Sequence, residues 1–80
     1  MLLEILTPDK KVFSGEAASV TVPGTMGSFT VLNNHAPIIS TLEAGEVKVK
    51  GNAGMETFHI NGGVIEVLKN KVVLLAEGLK

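Results

Sequence analysis

Short apolar runs, interrupted at close intervals by glycine, proline or asparagine, fill this sequence and leave no stretch that reads as a helix. Residues 2–7 are apolar and stop at the turn dipeptide Pro8-Asp9, and residues 11–14 form a second run that Gly15 is expected to break. Ala18, Val20 and Val22 alternate with Ser19 and Thr21, which is the period of a half-buried strand. Pro23-Gly24 turns the chain, Gly27 allows another tight bend, and residues 29–32 and 37–42 read as strands either side of Asn33-Asn34-His35. Gly45 opens a strand with Val47 and Val49 inward and Glu46, Lys48 and Lys50 in water. The 51–54 loop returns it as a hairpin into residues 57–60, with Phe58 and Ile60 inward and His59 outward. Gly62-Gly63 marks a bulge or a close backbone approach, and residues 64–68 and 71–76 make a last hairpin about Lys69-Asn70. The pattern predicts eight or nine short strands in one all-β domain over residues 1–80, a flattened antiparallel β-sandwich or barrel.

Size limits what such a domain can do alone. A chain of 80 residues buries only about 60% of the surface its unfolded form exposes, and with no cysteine it has no disulfide or thiolate-metal staple. Its core must be aliphatic, because 45% of residues are hydrophobic and only Phe13, Phe29 and Phe58 are aromatic. The last hairpin is apolar on both faces: Ile65 and Val67 oppose Val64 and Leu68, and Val72 and Leu74 oppose Val73 and Leu75. A strand apolar on both sides is ordinarily covered on both, and a sandwich has one interior. The second face therefore calls for cover, either from elsewhere in the chain or from a partner protein.

Charge and composition narrow the classes of partner. The net charge is −1 and all seven basic residues are lysines, so the bidentate guanidinium contacts that favour nucleic acid are missing and stacking aromatics are scarce. No nucleic-acid partner is expected. The first residues run straight into Glu4 with no basic region of a signal peptide, and apolar runs such as 72–76 fall far below the roughly 20 residues that span a bilayer.

The search for reaction chemistry returns little. Ser14, Ser19, Ser28 and Ser40 sit in no strand-turn-helix elbow. His35 and His59 have no metal-ligand spacing, and Gly24-Thr25-Met26-Gly27 lacks the Gly-Lys-Ser/Thr continuation of a phosphate cradle. No catalytic residue, cofactor or metal is expected. The segment from Pro23 to Gly45, with its glycine-pinned turn and its Asn33-Asn34-His35 corner closed by Pro37, reads as one shaped docking edge. His59 reads as a surface residue. His35 reads equally as a corner cap, its ring bonding a nearby carbonyl, and as a partner contact. Met26, at the tip of its turn, suits an adaptable protein contact or folds back on the rim. The scattered carboxylates read as a solvated surface that discourages strand edges from self-pairing.

Taken in order, Phe13-Ser14-Gly15, the run from Val20 through Val22 to Pro23-Gly24, Gly27, the corner from Asn33 to Ile39, Leu42, Gly45, Gly62-Gly63-Val64 with Glu66-Val67, and the run 72–76 resemble the N-terminal β-sandwich domain of the F-type ATP synthase epsilon subunit. The similarity runs from Leu2 to about Glu77. It implies about ten strands, no active site, and a non-catalytic place in the central stalk. There the domain would bind the base of the gamma shaft and the polar loops of the c-ring, so that proton-driven rotation supports ATP synthesis. It further implies a peripheral position at the cytoplasmic face of a bacterial inner membrane, held there only through the complex. The positions it marks for partner contact are Thr7, the turn of Gly24, Thr25, Met26 and Gly27, Asn34, His35 and Ser40, joined by Val73 and Leu75 from the doubly apolar hairpin. The family often carries an acidic residue where Met26 stands, so an electrostatic ring contact is not implied there. Many members continue into a two-helix hairpin that restrains hydrolysis and in some binds ATP. This sequence stops at Lys80, and the expectation is a short form with neither hairpin inhibition nor a nucleotide site. Two other classes stay open on the residues alone: a small-ligand barrel, which needs an internal cavity, and an enzyme dependent on His35 or His59.

Overall fold

Alternating aliphatic side chains need a surface to cover them, and in the computed structural model, which describes residues 1–80, two sheets supply it for each other. The strands are β1 (Leu2–Leu6), β2 (Lys11–Glu16), β3 (Ser19–Val22), β4 (Phe29–Leu32), β5 (Ile38–Leu42), β6 (Gly45–Gly51), β7 (Gly54–Ile60), β8 (Gly63–Leu68) and β9 (Lys71–Ala76). One sheet has the order β2-β1-β9-β8-β5 and the other β4-β3-β6-β7. Between them lie Leu3, Ile5, Ile65, Val67, Val72 and Leu74 from the first and Val20, Val22, Val31, Val47 and Ile60 from the second, every one at most 2% exposed. Phe13 and Phe58 meet edge to face, centroids 6.0 Å apart, and so join the β2 edge to the β7 edge. The accessible surface, 4677 Å², is close to the roughly 4,600 Å² expected of a compact monomer of this mass. There is no helix long and apolar enough to cross a membrane.

The alternation that predicts the strands holds closely, with instructive departures. All pairings are antiparallel except one: β1 runs parallel to β9, with Leu2 opposite Lys71 and Leu6 opposite Leu75, so the fold is a mixed sandwich at that point. Nine strands form, and the isolated bridges Gly24–Leu42 and Ile60–Leu79 extend the pairing beyond them. Gly15 does not break β2, which continues to Glu16 because Gly15 is held opposite Leu3 in the ladder. Ala18 is exposed and Ala17 is the buried one, since the chain changes sheets there and β3 begins only at Ser19. The β6–β7 hairpin is longer than predicted, with β7 starting at Gly54 around a tight Asn52-Ala53 turn.

Gly63 is the close approach the sequence suggests. A Cβ there would lie 2.2 Å from the Leu75 carbonyl oxygen, so only glycine lets β8 and β9 approach at this point.

Candidate docking surface

Register decides which side chains share the outer face of the five-stranded sheet. Leu6, Leu75, Val64 and Thr41 form one cross-strand row, Glu4, Val73, Glu66 and Ile39 a second, and Leu2, Lys71 and Leu68 a third. Ile39 is 73% exposed, Leu68 and Leu75 51% each, Leu2 41% and Val64 37%, with Val73 half-buried at the centre. The second apolar face of the last hairpin is therefore not covered within the chain. Glu4, bonded to Lys11 at 3.3 Å and to Lys71 at 3.8 Å, supplies a polar margin on the β1 side.

The other sheet makes the contrast. Its outer face carries Thr21 and Thr30, whose hydroxyls are 2.8 Å apart, together with Lys48, Thr57 and a His59–Glu46 pair at 2.9 Å. Leu32 and Met55 stand at opposite edges of that face, with Ser19 and Lys50 between them. One outer face is thus largely apolar, interrupted by Glu66 between Val73 and Ile39 and by Lys71 between Leu2 and Leu68, and the other is mostly polar. That asymmetry, from alternation alone, gives the sandwich a side that water covers poorly.

The predicted contact residues fall into separate groups. At one end of the sandwich Gly27 N–H donates to Gly24 O at 2.9 Å, closing a β-turn with Thr25 and Met26 at its centre, and Gly27 takes φ 126°. Met26 is 98% exposed and does not fold back. The turn is anchored to β5, because Thr25 N–H donates to Thr41 O at 3.1 Å and the Thr25 and Thr41 hydroxyls are 2.7 Å apart. Thr7 caps its own turn at this same end, its N–H donating to Lys10 O at 2.9 Å.

The corner holding Asn34 and His35 lies at the opposite end, because β4 spans the sandwich between it and the Met26 turn. Segment 23–45, which reads as one edge in sequence, is split across both ends. Asn34 takes φ 63°, and its N–H donates to Asn70 Oδ1 at 2.8 Å. Asn33 Oδ1 accepts from the Met1 amino group, which also donates to Ala17 O at 3.1 Å. His35 N–H donates to Leu32 O at 3.2 Å, and its ring Nδ1–H donates to Ala36 O at 2.7 Å, the capping contact foreseen for it.

Ser40 lies on β5 with the inward-facing Ile38 and Leu42, half-buried, its hydroxyl donating to Thr41 O at 3.0 Å. A partner would reach it at the open edge of β5, not across the outer face. Val73 and Leu75 stand within the apolar face, which runs from the His35 end to the Met26 end and so lies between the two clusters. Sequence reading passed over Leu2, Leu6 and Ile39 in this face, since their place beside β9 and β8 depends on pairings distant in the chain. It also passed over Asn70, treated only as a turn residue.

The sequence matches the family "ATP synthase, Delta/Epsilon chain, beta-sandwich domain" over residues 1–80. Among similar proteins, the ATP synthase epsilon chain of Sulfurimonas denitrificans is 48% identical over 95% of this chain and 59% of its own length. That of Chlorobaculum tepidum is 46% identical over 94% of this chain and 86% of its own. The present chain thus spans little more than half of one relative and most of the other. A similar fold occurs in the Tetrahymena thermophila mitochondrial ATP synthase central stalk/c-ring structure, with TM-score 0.87, 17% identity, and 99% of this chain and 64% of that one covered. The Euglena gracilis mitochondrial ATP synthase OSCP/F1/c-ring structure gives TM-score 0.90 at 22% identity, covering 98% of this chain and 51% of that one.

Proposed function

This chain belongs to the ATP synthase delta/epsilon β-sandwich family, and from that membership and its surface we propose that it is a non-catalytic coupling subunit of the central stalk. In this reading the apolar outer face of the five-stranded sheet seats on the gamma shaft. The Met26 turn meets the polar loops of the c-ring, and the Asn34–His35 corner adds contacts at the other end of the shaft interface. Ion-driven rotation then passes from ring to shaft through a stiff wedge and supports ATP synthesis. The chain sits peripherally at the cytoplasmic face of a bacterial inner membrane, held there by its neighbours.

The observation that carries this reading is the contrast between the two outer faces. Completing the burial of a half-exposed leucine such as Leu75 or Leu68 stabilises a complex by about 1 kcal/mol, so the patch as a whole is worth several before the costs of association. Rigidity suits the task as well, since torque needs an element that does not yield. Sheets closed by a continuous core of fully buried side chains meet that need. The same filled interior leaves a small-ligand barrel without a chamber to work with.

The test is reconstitution: the chain is added to gamma and c-ring preparations lacking it, and coupling of proton movement to ATP synthesis is measured. Restored coupling is expected. Coupling that is complete without the chain, or unaffected by its addition, would count against a stalk role.

A further inference from the structure

Asn70 takes part in no predicted site, yet its backbone carbonyl and its side chain together tie the β8–β9 turn to β1 and to the Asn34–His35 corner. With Lys69 it forms the two-residue turn between β8 and β9, the pair taking φ 50° and 59°, the geometry of a type I′ hairpin. Its carbonyl accepts from Leu2 N–H at 3.2 Å, where β1 begins. Its side-chain Oδ1 accepts from Asn34 N–H at 2.8 Å, across 36 positions of sequence. Asn34 sits in the left-handed region and is the residue directly before His35. The turn of one sheet therefore holds the corner through which the chain leaves the other sheet.

We propose that Asn70 is the positioning residue of the Asn34–His35 corner: its side chain fixes the corner in the shape that docks, and the turn itself does not need that side chain. The claim rests on the coupling-subunit reading for its partner, the gamma subunit. Its chemistry separates cleanly from folding. Glycine is the residue a type I′ turn favours most at this position, so Asn70→Gly keeps the turn and deletes only the acceptor. Aspartate tolerates the left-handed region and retains an acceptor oxygen, so Asn70→Asp restores what glycine removes. The Met1 amino group on Asn33 holds the corner from its other flank, which leaves a loosened corner in the glycine variant and not an unfolded one.

The experiment compares the wild-type chain, Asn70→Gly and Asn70→Asp by thermal melting, by amide hydrogen exchange of Asn34, and by affinity for purified gamma subunit. Asn70→Gly is expected to melt within a few degrees of the wild type. Exchange at Asn34 should accelerate at least tenfold while core amides such as those of Ile65 and Leu74 keep their protection. Gamma affinity should fall about tenfold, and Asn70→Asp should recover most of both losses. If Asn34 exchange is unchanged in the glycine variant, or gamma affinity is unchanged while exchange rises, the positioning claim is wrong though the stalk reading stands. Wild-type chain that fails to bind gamma at all overturns the stalk reading and the docking half of this claim with it. Exchange at Asn34 still decides whether Asn70 holds the corner.

Discussion

His35 and Gly63 show how differently single residues serve this fold. The His35 ring bonds only its neighbour's carbonyl, so His35→Ala removes one local hydrogen bond worth about 1 kcal/mol or less. The melting temperature of the free domain should drop by about 5 °C or less, while gamma affinity falls about tenfold. A large loss of melting temperature with unchanged affinity would make His35 structural only. Gly63→Ala is the opposite case. Its Cβ would press on the Leu75 carbonyl at 2.2 Å and on Ala76 Cα at 3.1 Å, both backbone atoms, at the end of the β8–β9 ladder where Gly63 pairs with Ala76. Overpacking of that kind costs about 2–3 kcal/mol, or roughly 10–20 °C of melting temperature in a domain this small, measured by calorimetry. The Gly62-Gly63 pair was legible as a bulge or a close approach, since two glycines inside a strand signal need one or the other, and the contact at Gly63 selects the close approach. Gly15 was misread for a related reason: glycine weakens a strand on average, but the pairing with Leu3 decides the matter, and sequence does not display pairings.

Strands were the most readable part of the chain, because alternation of valine and polar residues states which side faces in. The pattern in β6, with Val47 and Val49 buried and three charged residues outside, needed no structure to interpret. The parallel pairing of β1 with β9 did, since it joins the two ends of the chain and leaves no local mark. That pairing places Leu2 and Leu6 beside Leu75 and turns an apolar hairpin into an apolar sheet face. The face makes its own prediction. Leu75→Asp or Val73→Asp should leave the free domain folded, with circular dichroism and cooperative melting retained, and reduce gamma binding at least a hundredfold. Lys48→Asp, on the polar face, should do neither. Leu74→Asp, one position from Leu75 but 0% exposed, should unfold the domain outright. Equal tolerance of Leu74→Asp and Leu75→Asp would mean that the inner and outer faces have been confused.

For the molecule as a whole, the arrangement of contacts matters more than any one of them. The candidate residues in sequence order suggest a single edge, yet β4 carries the chain across the sandwich between Met26 and His35. That separation was latent in the strand signal of residues 29–32, though which loops share an end follows only from the sheet order. The result is a flattened body of 26 × 26 × 18 Å with a proposed contact cluster at each end and a largely apolar face between them. Such a shape is suited to being gripped by two larger bodies at once. The most direct test of this claim is calorimetric titration of purified gamma subunit with the full chain, repeated with Leu75→Asp and with Lys48→Asp at several temperatures. The wild type and Lys48→Asp are expected to bind with a negative heat-capacity change, the mark of buried apolar surface, and Leu75→Asp to show little or no binding. Undiminished binding by Leu75→Asp, or its loss in Lys48→Asp instead, would contradict the assignment of the apolar face as the seat of the shaft.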